Sequence, residues 1–203
     1  MIAIINYGLG NLNSISNMIK KIGSVANVIS SPEHLDDASK IILPGVGAFD
    51  AGMTGLKNGG WIEPLNHSVF KQKTPILGIC LGMQLMCNYS EEGNIPGLSW
   101  IDASVKKFVF DDTNSSLKIP HMGWNTIKIK KANSLLKIDN EQRFYFVHSY
   151  YVECNNWNDI ISVSNHGFDF TAAFGKDNIY GVQFHPEKSH RYGMAVLKNF
   201  IEL

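Results

Sequence analysis

The stretch "TPILGICLGMQLM", residues 74–86, sets a short apolar run against a helix-like one, with Cys80 between Gly78 and Gly82 at the join. A run of that length before a glycine turn reads as a buried strand, and "LGMQLMCNYS" after it reads as a helix. Upstream the same unit repeats. "IAIIN" is a strand, "YGLGN" a turn, and "LNSISNMIKKIG" a helix with Leu12, Ile15, Ile19 and Ile22 on one face and Gly23 as its C-cap. "VANVIS" and "KIILPG" are further strands, the latter cut by Pro44 and Gly45, and "AFDAGMTGLKNGGW" is a glycine-broken helix. Strand, turn and helix in repetition predict a mostly parallel sheet covered by helices on both faces. Downstream, "ASVKKFVF", "NTIKIKK", "QRFYFVHSYYVE", "DIISVSN" and "FTAAFGKDNIYGVQFHP" alternate or are aromatic, as antiparallel flanking strands do. A helix with Met194, Leu197, Phe200 and Ile201 on one face ends the chain. No linker, repeat or low-complexity tract interrupts it. The expected fold class is α/β, one domain over residues 1–203.

A chain of 203 residues is long enough for one sizeable core. Its 18 Lys and Arg balance 18 Asp and Glu, so no basic excess points to nucleic acid and no acidic tail to disorder. The most apolar run is broken by Pro75, Gly78 and Gly82 and does not read as a membrane span. The N-terminus lacks the basic region and cleavage site of a secretory signal. Cys80, Cys87 and Cys154 cannot all pair, and their spacing matches no zinc pattern. The expectation is reduced thiols in the cytoplasm, without metal or cofactor.

"Gly78-Ile79-Cys80-Leu81-Gly82" has the form of a nucleophile elbow with cysteine in place of serine. Glycines on both sides remove the Cβ atoms that would crowd the bend. The following helix turns its N-terminal dipole toward the sulfur, and the Leu81 N–H is free to stabilise an oxyanion. Free cysteine is also a common core residue, so on this stretch alone packing and catalysis both stay open.

A nucleophile needs a base. Of seven histidines, His34 and His67 sit in polar surroundings and read as surface residues. In "GVQFHPEKS", His185 and Glu187 are separated by one residue, so an extended segment held by Pro186 points both to the same side. The carboxylate then orients one ring nitrogen and leaves the other for the thiol. Cys80, His185 and Glu187 form the candidate catalytic set.

Taken together, "GICLGMQ", "LPGVGAF" and "FHPE" resemble the class I (triad-type) glutamine amidotransferase family, with its flavodoxin-like fold. "YGLGN", "PHMGWN" and "FYFVHSY" narrow the resemblance to glutaminase subunits that serve a (β/α)-barrel cyclase in histidine biosynthesis. The resemblance spans nearly the whole chain. It implies thiolate attack by Cys80 on the side-chain amide of glutamine, with His185 as proton carrier and Glu187 as its orienter. It also implies an oxyanion segment at Pro44, Gly45, Val46 and Gly47. Glutamine contacts would come from Gly47, Leu81, Gln84, His148, Ser149 and Tyr150. By contrast "GLGN" is a poor dinucleotide fingerprint, since Asn13 stands where the last glycine belongs.

Ammonia in neutral water is mostly ammonium, which is no nucleophile. A glutaminase without an acceptor site of its own therefore implies a partner that caps it, here the cyclase subunit of a heterodimer. Asn11, Met122 and Trp124 are the expected interface residues, with Trp124 as anchor, although a core tryptophan stays open. Two features depart from the pattern. Asn6 stands where an acid often precedes the tyrosine, and "EKSHRYGMAVLKNF" is closer to paralogues that feed ammonia to a surface-sugar amidotransferase. That acceptor is the alternative, followed by a cysteine hydrolase with the same elbow and a non-catalytic binding subunit.

Overall fold

The computed structural model describes residues 1–110, 117–137 and 142–203. The apolar strands of the N-terminal half pair in parallel: β1 (Ile2–Ile5), β2 (Ala26–Ile29), β3 (Lys40–Gly45) and β4 (Ile76–Cys80), joined by β12 (Ile179–Val182) in the order β2-β1-β3-β4-β12. Beyond β12 the sheet runs antiparallel through β11 (Phe168–Lys176), β10 (Ile160–His166), β7 (His121–Ile129) and β8 (Gln142–His148). A side branch of β9 (Tyr150–Cys154), β6 (Ala103–Lys107) and the two-residue β5 (Tyr89–Ser90) leaves from β11.

Alternation along the strands sorts the core onto two faces. Ala3, Ile5, Ile41 and Leu43 pack with α2 (Phe49–Asn58), α3 (Ile62–Asn66) and α4 (Leu81–Leu85). Ile2, Ile4, Ile42, Leu77 and Ile79 pack on the other face with Ile15 and Ile19 of α1 (Leu12–Lys21) and Val196, Leu197 and Phe200 of α5 (His190–Ile201). Gly23, with φ +83°, ends the first helix at the expected place.

Two local expectations need correction. The helix after Cys80 is only Leu81–Leu85, not the longer "LGMQLMCNYS". Its last carbonyls are captured by the loop that follows: Leu98 N–H donates to Leu85 O at 2.8 Å and Trp100 N–H to Met86 O at 2.9 Å. Tertiary bonds thus replace the next helical turn. The "HPE" segment is not extended either: Pro186–Lys188 is a 3₁₀ turn, closed by Lys188 N–H on His185 O at 3.0 Å. Proline lacks the N–H that the first helical position would leave unused, and its φ suits that position.

Candidate active site

Cys80 ends β4 with φ +54° and ψ −109°, a conformation that costs a non-glycine residue of order 1–3 kcal/mol. The flanking glycines make this elbow possible by a closer approach than clearing the bend alone. A Cβ on Gly82 would lie 1.8 Å from the Leu43 carbonyl oxygen, and one on Gly78 would lie 2.7 Å from Met83 N. The turn is therefore pressed against β3 and against its own first helical turn. In the β3–β4 register Gly45 stands opposite Cys80, so the Pro44–Gly47 segment runs beside the thiol. Tyr7 braces that segment from below, its hydroxyl donating to Pro44 O at 2.6 Å. Burial first, and then the charge on Cys80, push the Tyr7 hydroxyl's pKa upward, which keeps it a donor. With α4 one turn long, the dipole near the sulfur reduces to its first free N–H groups.

His185 Nδ1 and Glu187 Oε1 are 2.8 Å apart, and both side chains are 1% exposed. The 3₁₀ turn brings the pair together by curling Glu187 back under the imidazole, where a straight segment was expected. Ser189 holds the turn, its hydroxyl donating to His185 O at 2.6 Å while accepting from Tyr145 N–H at 3.0 Å. His185 Nε2 is buried and has no hydrogen-bond partner among the described residues. Burial opposes a charge on this ring, but the Cys80 sulfur and the Glu187 carboxylate outweigh it and raise its pKa to about 10. A buried imidazole with one nitrogen fixed by a carboxylate and the other uncommitted beside a thiol is equipped to move a proton.

A cavity of about 240 Å³ opens over Cys80. Val46, Gly47, Leu81, Gln84, His148, Ser149 and Tyr150 line it with Cys80. Pro44 and Gly45 lie beneath it in β3 rather than in its lining. Gly47, with φ +125°, needs to be glycine. A larger groove of about 540 Å³, between α5 and Leu135–Lys137, contains none of these residues.

The pocket modifies two expected roles. Both ring nitrogens of His148 are engaged inside the protein, Nδ1 with Tyr150 O at 2.7 Å and Nε2 with His121 Nδ1 at 2.9 Å. What His148 offers a ligand is its main chain. Burial, against the Tyr150 bond, holds its pKa down at about 3, and burial with neighbouring His166 holds His121 near 4. Gln84 likewise commits its amide nitrogen, to Tyr150 O at 3.1 Å and Gln183 Oε1 at 3.0 Å, leaving its carbonyl oxygen as the group for a ligand.

The sequence reading passed over Glu92, Gln183 and His121. Glu92 lines the pocket and accepts from Phe49 N–H at 2.9 Å at the start of α2; burial raises its pKa. Gln183 is wholly buried, with Nε2 3.7 Å from Cys80 Sγ. Gln183 and His121 lie within "GVQFHPEKS" and "PHMGWN" and Glu92 in no motif, but nothing in those stretches marks the hydrogen bonds they make, so only spatial neighbourhood reveals their places. Cys87 is wholly buried as packing, and His34 and His67 are exposed, as expected.

Of the expected interface residues, Met122 pairs with Val147 of the pocket lining. On β7, Met122 and Trp124 alternate outward and are 62% and 41% exposed, which excludes the core reading of Trp124. Trp124 stacks on His190 with centroids 5.5 Å apart. Asn11 is half-buried just before α1. Among the described residues no His, Cys, Asp and Glu cluster could hold a metal, and no helix is long and apolar enough to cross a membrane.

Comparison with known proteins agrees with this geometry. The model of the family "Glutamine amidotransferase class-I" matches residues 3–203. An imidazole glycerol phosphate synthase subunit HisH 2 of Methanococcus maripaludis is 53% identical, over 100% of this chain and 99% of that protein. A subunit HisH of Leptospira borgpetersenii is 46% identical over 100% of both. Among solved structures, a glutamine amidotransferase superposes with a TM-score of 0.76 at 14% identity, covering 100% of this chain and 98% of that one, a likeness of fold. By fold and by sequence, the chain belongs to the class-I glutamine amidotransferase family, among the HisH subunits of imidazole glycerol phosphate synthase.

Proposed function

We propose that this chain is the glutaminase subunit of an imidazole glycerol phosphate synthase, releasing ammonia from glutamine for histidine biosynthesis in the cytoplasm. The observation that carries the reading is the buried His185–Glu187 pair, with Nε2 uncommitted, under a pocket whose floor is the strained Cys80. His185 takes the thiol proton, the thiolate attacks the glutamine side-chain carbonyl, and the N–H of Leu81 with a main-chain N–H of the Val46–Gly47 turn receives the oxyanion, Pro44 having no N–H to give. His185 then passes its proton to the departing amine, leaving a glutamyl thioester and ammonia. Water activated by the same ring releases glutamate. Glu187 keeps the ring in orientation throughout.

The pocket suits an α-amino acid. Glu92 and the free oxygen of Gln84 accept from an ammonium, while the main chain of His148, Ser149 and Tyr150 can meet the carboxylate end. The chain would pass its ammonia to a (β/α)-barrel cyclase subunit seated over the pocket against Asn11, Met122 and Trp124, in a heterodimer that forms imidazole glycerol phosphate and the aminoimidazole carboxamide ribotide by-product. The names of the relatives favour this acceptor over a surface-sugar amidotransferase.

The test is a glutaminase assay of the chain alone, with the cyclase subunit, and with the cyclase and its nucleotide substrate. Low turnover alone and strong activation by the loaded partner is the expected result. High turnover by the lone chain would refute the partner-gated reading, and no glutaminase activity in any mixture would refute the activity itself.

A further inference from the structure

One backbone carbonyl decides every proton position in a line of mostly buried side chains that ends on the Cys80 sulfur. Tyr150 O can only accept, and it takes bonds from Gln84 Nε2 at 3.1 Å and His148 Nδ1 at 2.7 Å. Toward Cys80, the Gln84 amide nitrogen so oriented also faces Gln183 at 3.0 Å, so the facing atom of Gln183 must be its oxygen, Oε1. The other atom of that amide, Nε2, is the one left 3.7 Å from Cys80 Sγ, and it carries the hydrogen. In the opposite direction, His148 with its proton on Nδ1 accepts at Nε2 from His121 Nδ1–H at 2.9 Å. His121 Nε2 then accepts from Asn125 Nδ2 at 3.1 Å, and Asn125 also donates to Asn165 O at 2.8 Å. No amide in the line can flip, and no ring can change tautomer, without setting two donors or two acceptors face to face.

We propose that Gln183 is a positioning residue for the nucleophile: its side-chain N–H donates to the Cys80 sulfur, holding it at the elbow and stabilising the thiolate over the thiol. The inference rests on the reading of Cys80 as the nucleophile. A buried amide is costly unless bonded, and Gln183, wholly inaccessible, directs its side chain to two residues of the site, Gln84 and Cys80. A donor on the sulfur favours the charged form, while an acceptor in the same place disfavours it. The Tyr150 carbonyl, through Gln84, ensures that the donor faces the sulfur. Other ionisable groups near the sulfur are Tyr7 beneath it, His185 beside it and Glu92 across the pocket. None of them constrains the orientation of the Gln183 amide.

Gln183→Glu tests this directly. It preserves length and the acceptor for Gln84 but replaces the donor on sulfur by an oxygen. The measurement is the rate of Cys80 alkylation by iodoacetamide at neutral pH in the full chain, followed by mass spectrometry, together with kcat and KM in the complex. The expected result is alkylation about tenfold slower, a similar fall in kcat, and KM changed by less than about twofold. A folded variant that alkylates at the native rate overturns the proposal, because a packing role alone would lower stability without touching thiol reactivity. Gln183→Met, also without a donor, must behave the same way. An independent check uses the native chain: the Gln183 side-chain amide resonances should shift on Cys80→Ala, and unchanged resonances would also overturn it. If Cys80→Ala keeps glutaminase activity, the nucleophile reading itself fails. If Cys80→Ala is inactive while Gln183→Glu alkylates normally, only the role of Gln183 fails.

Discussion

Cys80 combines a left-handed φ, a neighbouring buried imidazole and a floor position in the pocket, and each has a chemical consequence. The strained backbone projects the sulfur away from the strand, and in the proposed reaction the imidazole takes its proton and the pocket receives the glutamine side chain. Cys80→Ala in the complex should abolish synthesis from glutamine and leave synthesis from added ammonium intact, as a product assay with each nitrogen source will show. Glu187→Gln keeps a hydrogen-bonding oxygen near His185 Nδ1 but removes the charge that supports the imidazolium. We expect kcat to fall roughly a hundredfold with little change in KM. A loss confined to KM would instead make Glu187 a substrate contact.

The β4–α4 junction shows how an element carries the chemistry. Its glycines are set by contacts with β3 as well as by the bend, since a Cβ on Gly82 meets the backbone of Leu43, which cannot rotate away. Gly82→Ala should therefore destabilise the fold by about 3 kcal/mol, measured by urea unfolding. A loss below ~1 kcal/mol would mean that β3 and α4 can separate freely. The strand–turn–helix unit was legible because a buried strand and a glycine elbow leave local marks. The length of α4 was not legible, since Leu85 and Met86 give their carbonyls to residues 98–100. The turn at His185–Glu187 was misread as extended because proline suits either a straight segment or a first helical position. The pairing of the two side chains survives that change, being a matter of reach rather than of strand alternation.

Over the whole molecule, the buried histidines set how stability depends on pH. His121 and His148 titrate near 4 and 3 when folded, against about 6.5 unfolded. Below about pH 6.5 the unfolded chain therefore takes up protons that the folded chain refuses, and stability falls as pH drops toward 4. His185 has the opposite sign. Its folded pKa of about 10 contributes stability that is complete below about pH 6.5 and is lost as pH rises toward 10. Urea midpoints should therefore peak near neutrality and decline on both sides. A flat acid limb would show that the His121–His148 line opens without cost. At the same scale the docking role proposed for Trp124 can be separated from any role in folding, because the ring is 41% exposed. Trp124→Ala should change unfolding free energy by less than ~1 kcal/mol and weaken partner binding by about 2 kcal/mol, measured by titration calorimetry. Equal losses in both would make it a structural residue.

The sequence by itself determined the parallel strand–helix plan and marked the two halves of the candidate triad, because each rests on residues near one another in the chain: apolar alternation, glycines about a cysteine, a carboxylate two places from a histidine. The tertiary structure alone decided which side chains complete the site. Gln183 is 99 positions from Gln84 and 103 from Cys80, and His148 is 27 from His121. Hydrogen bonds between such distant residues leave no period or spacing in a sequence, and they form only where the fold brings α4, the ends of β4, β7, β8 and β9, and the residue after β12 together.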